Sequence, residues 1–207
     1  MAIVRALWTG EPVDFAGRHY TLKGQRISLP PVRPGGPPIW VGAGAHRTGA
    51  RRAARLGDAW IIPPHVTPER LATVLRWYRE AGATGERDVV VRRELVLDPD
   101  PERAMAIGRA ARGALTRAYS AFNVPDATES YRQLSDAGAA EDVAAHSYLF
   151  TTPERCVRRL KELADLGVTY VILRMQWYDL PQERVLRTLA LFRDEVLPHF
   201  QHETGGE

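Results

Sequence analysis

Beyond residue 37 the chain alternates between short unbroken apolar runs and longer stretches whose apolar residues recur every three or four positions. The first pattern predicts buried strands and the second predicts amphipathic helices. Strands are predicted at 38–42 (PIWVG), 58–62 (DAWII), 88–97 (DVVVRRELVL) and 169–175 (TYVILRM). The stretch HRTGARRAARLG predicts a helix with a small face of Ala50, Ala53 and Ala54 that stops at Gly57. Thr67-Pro68-Glu69 and Thr152-Pro153-Glu154 are helix starts. In each, threonine caps free N–H groups, proline suits the first turn and glutamate suits the positive end. Their apolar faces are Leu71, Val74, Leu75 and Tyr78, and then Val157, Leu160 and Leu163. A last helix starts near Pro181, with Val185, Leu189, Phe192 and Val196 on its apolar face and a stop at Pro198.

Strand and helix thus alternate, which predicts an α/β fold with parallel strands joined by right-handed helical crossovers. Upstream, residues 2–8 have the pattern of a helix end, and VDFAGRHYTLKG that of a hairpin. The hairpin and a Pro/Gly-rich connector together occupy 11–37. Residues 98–150 are too long for a simple loop and are expected to form a helical insertion at the C-terminal end of the strands. The tail 200–207 is expected to be disordered, and residues 1–207 to form a single domain.

Composition narrows the function classes. The net charge is +3, but acids are interspersed with the arginines and no basic stripe forms, which argues against nucleic acid. The single cysteine, Cys156, cannot form an intrachain disulfide, no metal-ligand spacing occurs, and a reducing cytoplasm is the expected setting. No apolar run approaches the ~20 residues of a membrane span.

The turn after the first predicted strand carries the candidate chemistry. Gly42, Gly44 and Gly49 read G-x-G-x-x-x-x-G, so the third glycine misses the dinucleotide fingerprint. The acid that fold needs at the end of the second strand is also missing, since Asp58 lies at the opposite end. What remains is a strand, a turn of small residues and a helix N-terminus, a geometry suited to anions. The same glycines could serve only to permit a tight turn.

PPIWVGAGAHRTGARRAARLGDAWI resembles the strand–turn–helix–strand signature of luciferase-like monooxygenases, which are flavin- or deazaflavin-dependent oxidoreductases. LWTGEPVDFAGRHYTL and VILRMQWYDLPQERVLRTLALFRDEVLPHF resemble that family's helix-and-hairpin and its final strand and helix. The resemblance implies a partial TIM barrel whose four strands correspond to the second half of a (β/α)8 barrel. A complete barrel takes about 250 residues. A truncated gene, a late start codon and a genuine half-barrel are all compatible with the shorter length.

By the resemblance, Gly42, Ala43, Gly44, Ala45 and His46 would lie against the coenzyme phosphate or ribityl chain. Reduced FMN is the favoured coenzyme and a deazaflavin the alternative. The coenzyme supplies the chemistry, oxygen activation or hydride transfer, and the protein orients it. Implied partners are a small organic substrate, O2 and a flavin reductase. Four strands alone would leave two sheet edges and an apolar interior exposed, so the chain is expected to dimerise, closing an eight-stranded ring, or to aggregate. A non-catalytic half-barrel and an unrelated phosphate-binding barrel are the competing readings.

Strand parity adds further candidates. Arg92 and Glu94 should point into the barrel, as ligand groups or as a buried structural ion pair. Arg174, Gln176 and Trp177 fall at the C-terminal end of the last strand, where barrel active sites sit. They are substrate-pocket candidates, although Arg174 could instead bind a nearby carboxylate. His65, after the second strand, is a further candidate.

Overall fold

A computed structural model describes residues 1–64, 66–83, 87–121, 148–176 and 179–201. A short helix α1 (Ala2–Leu7) leads into an antiparallel hairpin of β1 (Val13–Ala16) and β2 (Thr21–Gln25). The α/β unit then runs β3 (Trp40–Gly42), α2 (Arg47–Leu56), β4 (Ala59–Ile62), α3 (Pro68–Glu80), β5 (Asp88–Leu97) and α4 (Pro101–Ala121). It resumes with β6 (Tyr148–Thr151), α5 (Pro153–Asp165), β7 (Tyr170–Arg174) and α6 (Gln182–Leu191).

Strands β3 to β7 form one parallel sheet built around the ten-residue β5. Val90 and Val91 pair with β4 on one edge and β7 on the other. Glu94 pairs with Arg174 of β7 and with Tyr148 of β6, so β6 continues the β4 edge toward the C-terminal end. The sequence reading placed 148–150 inside a helical insertion, and the structure corrects this with a fifth parallel strand. The segment is only four residues long and has no turn signal of its own, so periodicity could not find it. Of the rest of that insertion, 98–121 enters α4 and its lead-in, while 122–147 lies outside the described residues.

The helices cover one face of the sheet. Trp60, Ile62, Val89, Val91, Leu95 and Leu97 point to that side. They meet the alanine face of α2, Leu71, Val74, Leu75 and Tyr78 of α3, and Cys156, Val157, Leu160 and Leu163 of α5. Each large side chain removed from water here contributes roughly 1.5–3 kcal/mol. The predicted caps form as read: Thr67 accepts from the Arg70 N–H and Thr152 from the Arg155 N–H. Burial pushes the Cys156 thiol up to about 12, so it packs as a small apolar group.

Asp58, at the wrong end of β4 for a ribose, has a structural role instead. It accepts the Ile39 N–H at 2.8 Å and a bidentate contact from Arg5 at 2.9 and 3.0 Å. Those contacts fasten α1 and the start of β3 to the base of β4.

The last helix departs from its expected spacing. Leu189 is 45% exposed, and Thr188 takes the buried place, accepting the Leu97 N–H at 3.3 Å. A π-helical turn at Phe192–Val196 follows α6 and inserts an extra residue into the repeat, which returns Val196 to the core.

Candidate functional site

The turn between β3 and α2 is held from behind through its carbonyl groups. The Trp60 indole N–H donates to the Ala43 carbonyl at 3.1 Å. The His46 N–H donates to the Gly44 carbonyl at 2.8 Å. Arg70, on α3, donates through Nε and Nη2 to the Ala45 carbonyl at 3.1 and 2.8 Å, and its guanidinium lies 5.0 Å from the Trp77 ring centroid. In a trans peptide the C=O and the following N–H point in opposite directions. Capture of the Ala43 and Gly44 carbonyls therefore turns the N–H groups of Gly44 and Ala45 the other way.

His46 is the N-cap of α2. Its Nδ1 accepts the Gly49 N–H at 3.0 Å, so the ring proton sits on Nε2. Among the described residues no partner takes the N–H groups of Arg47 and Thr48, the two orphan donors of the first turn. The positive end of a ten-residue helix thus follows directly on the turn.

The glycines have separate reasons. A Cβ on Gly49 would stand 2.1 Å from the Gly44 carbonyl oxygen, so α2 can approach the turn only with glycine there. A Cβ on Gly44 would stand 2.9 Å from the His46 ring. Neither Gly42 nor Gly44 has a positive φ, so the tight-turn explanation does not account for them. A Cβ on Gly42 would meet nothing within 4 Å. Since Val41 packs into the helix-side core, Gly42 faces the opposite, concave side.

That concave face carries residues of different character. At its base the rings of Trp40 and Tyr170, from β3 and β7, meet edge to face at 5.2 Å. Above Val90, Glu94 is only 2% exposed, and its Oε1 takes Arg174 at 2.9 Å and Arg92 at 3.3 Å. Glu94 Oε2 and Arg92 Nε are buried with no hydrogen-bond partner among the described residues. Arg93, of opposite parity, turns to the helix side. It donates to the carbonyls of Pro64 and Val66 at 3.1 and 3.3 Å, and desolvation lowers its pKa to about 10.

Arg174 thus does what the ion-pair alternative expected, binding a nearby carboxylate on the inner face. Gln176 donates to the Leu180 carbonyl at 3.5 Å. His65 and Trp177 lie outside the described residues. Beside Leu180, Ile107 and Ala111 of α4 help line a largely apolar pocket of about 360 Å³ at the same end of the sheet. Sequence reasoning missed Trp60 and Arg70 as supports of the turn. Each reaches it from another element, 17 and 25 residues away, and local spacing carries no signal for such contacts.

The strand, turn and helix N-terminus lie at the C-terminal end of a parallel α/β sheet, a geometry suited to anions. The luciferase-like monooxygenase family model matches residues 1–170, and the chain belongs to that family. It is 28% identical over 205 residues to an F420-dependent glucose-6-phosphate dehydrogenase of Mycobacterium avium (strain 104), covering 96% of this chain and 58% of that protein. Among solved structures it resembles the monooxygenase RslO1 of Streptomyces bottropensis, with a TM-score of 0.78 at 22% identity, over 97% of this chain and 59% of that one. It also resembles the oxygenating constituent of 3,6-diketocamphane monooxygenase of Pseudomonas putida, solved with FMN, with a TM-score of 0.69 at 17% identity, over 96% and 61% of the two chains. These likenesses identify the fold as part of a luciferase-like TIM barrel. The chain spans a little under three fifths of the length of the curated relatives it matches.

Proposed function

We propose that this chain supplies the coenzyme-phosphate end of a flavin- or deazaflavin-dependent oxidoreductase. The observation that carries the reading is the turn Gly42-Ala43-Gly44-Ala45-His46, whose carbonyls are tied back and whose Gly44 and Ala45 N–H groups turn the other way. The residues fit a phosphate group. Gly42 leaves the concave side open, Gly44 and Ala45 supply backbone donors, and His46 orders the first turn of α2. A bound coenzyme of this kind would supply redox chemistry, either oxygen activation or hydride transfer. The chain's own residues bind and orient it, and Arg92, Glu94 and Arg174 provide polar groups further up the concave face.

Both coenzyme types occur among the relatives. The higher sequence identity is with an F420-dependent enzyme, which makes a deazaflavin the first ligand to test ahead of FMN. With a flavin, the reading extends to a small organic substrate, O2 and a supplying reductase. It also includes a homodimer. Among the described residues β3, β6 and β7 each pair on one side only, and two copies of the β3-β4-β5-β7 path would make an eight-stranded ring.

Fluorescence titration of the 207-residue chain with FMN and with a deazaflavin coenzyme tests the reading. Saturable binding of either supports it, and the tighter ligand assigns the coenzyme. A folded chain that binds neither contradicts it. Light scattering tests the dimer, and a monodisperse monomer would remove it.

A further inference from the structure

The cluster on the concave face goes beyond a coenzyme site. Gly42, at the end of β3, lies level with Val90 through Ile61, and Glu94 is four residues further along β5. At 3.3 Å per residue the cluster stands about 13 Å nearer the C-terminal mouth than that level. It is enclosed by apolar groups of the same parity. Val90 is fully buried below it, Ile172 sits beside it on β7, and Val96 lies above. Val96 packs in a second apolar cluster with Ala111, Tyr148, Phe150, Leu180 and Val185.

In such surroundings a carboxylate must be paired. Glu94 is paired twice, but through a single oxygen. Arg92 keeps 31% of its side chain accessible, and a guanidinium has five donors, of which the contact with Glu94 engages only part. An ion pair serving stability alone is expected to satisfy its buried polar atoms. Here Arg92 Nε, a donor, does not find a partner among the described residues.

We infer that Arg92, with Arg174 beside it and Glu94 holding both, forms a subsite for an anionic group, a carboxylate, on the organic substrate. Glu94 is a positioning residue and Arg92 the group that meets the ligand. Arg–carboxylate contacts are short, directional and stronger than neutral ones, and an apolar enclosure strengthens them further. The inference deepens the proposed function by naming the substrate class, and it rests on that reading only for the statement that the ligand is a substrate.

The test titrates the 207-residue chain with acetate, benzoate and succinate, using the matching neutral amides as controls, and follows binding by saturation-transfer NMR. At least one acid is expected to bind, and its amide is not. Arg92→Gln should weaken the acid at least tenfold with an unchanged circular dichroism spectrum. Gly49→Ala, which disturbs the coenzyme turn, should leave acid binding intact while weakening FMN and deazaflavin. Loss of coenzyme binding alone would therefore count against the proposed function and not against this subsite. The subsite is overturned if no acid binds, if acids and amides bind alike, or if Arg92→Gln leaves the acid affinity unchanged. Should Arg92→Gln fail to fold, Arg92→Lys keeps the charge but loses the planar fork, and it must still weaken the acid.

Discussion

The two faces of the central sheet are built on opposite principles. The helix side is apolar almost throughout, and Trp60, Leu71, Val74, Val91 and Leu95 are sealed from water. The concave side pairs an aromatic contact at its base with a buried carboxylate and two arginines, and Arg92 Nε and Glu94 Oε2 there have no hydrogen-bond partner among the described residues. One strand serves both faces: in β5, Val91 and Leu95 face the helices while Arg92 and Glu94 face the hollow. Apolar burial is concentrated on the first face and, in the proposed function, recognition chemistry on the second, with the turn after β3 joining them. Trp60 embodies that join, since its ring fills the core while its N–H fixes the Ala43 carbonyl.

The largest effect should come from breaking that join. Trp60→Ala is expected to cost about 3–5 kcal/mol in urea denaturation, from cavity formation. Trp60→Phe should recover most of the stability but not the coenzyme affinity, because the indole donor is gone. A loss of stability without any change in affinity would separate the two faces more sharply than proposed here.

Next is the concave cluster. Glu94→Ala removes the carboxylate shared by Arg92 and Arg174 and should cost about 3 kcal/mol, measured the same way. A smaller loss than for an exposed surface acid would mean that the two guanidinium groups rearrange freely into water. Gly49→Ala follows. Its Cβ would press on the Gly44 carbonyl, so coenzyme affinity should fall about tenfold, or ~1.4 kcal/mol, in a fluorescence titration.

The pH dependence probes the link between β5 and α4. Arg103 hydrogen bonds hold the Asp98 carboxyl below its ordinary value, helped by the Asp100 N–H. A lowered folded-state pKa means that this stabilisation is fully present above the ordinary carboxylate value near 4 and is lost as pH falls through the lowered one. Asp98→Asn should therefore flatten the acid limb of the stability curve, by about 1 kcal/mol given the half-exposed Arg103. The smallest effect is expected at Leu189→Ser, below about 0.5 kcal/mol in thermal denaturation, because the side chain is exposed.

That last position shows how far the sequence could be read. The spacing of Val185, Leu189, Phe192 and Val196 names the helix correctly, but the π turn shifts which residue is buried, and no local rule announces such a turn. The four strands of the alternating pattern and the two threonine caps were legible because burial and capping act over a few residues. β6 was not legible, because a four-residue strand is defined by the edge it pairs with. The turn and its glycines were visible as a motif. The clamp of Trp60 and Arg70 on its carbonyls arises only when separate elements come together.

The central claim is that the turn holds a coenzyme phosphate through backbone donors. Amide chemical shifts of the ¹⁵N-labelled chain on addition of a deazaflavin coenzyme or FMN test it most directly. The account expects the Gly44 and Ala45 N–H resonances to move downfield together and saturate with the ligand, with Arg47 and Thr48 following. Saturable shifts confined to other residues, with those four amides unmoved, would contradict it.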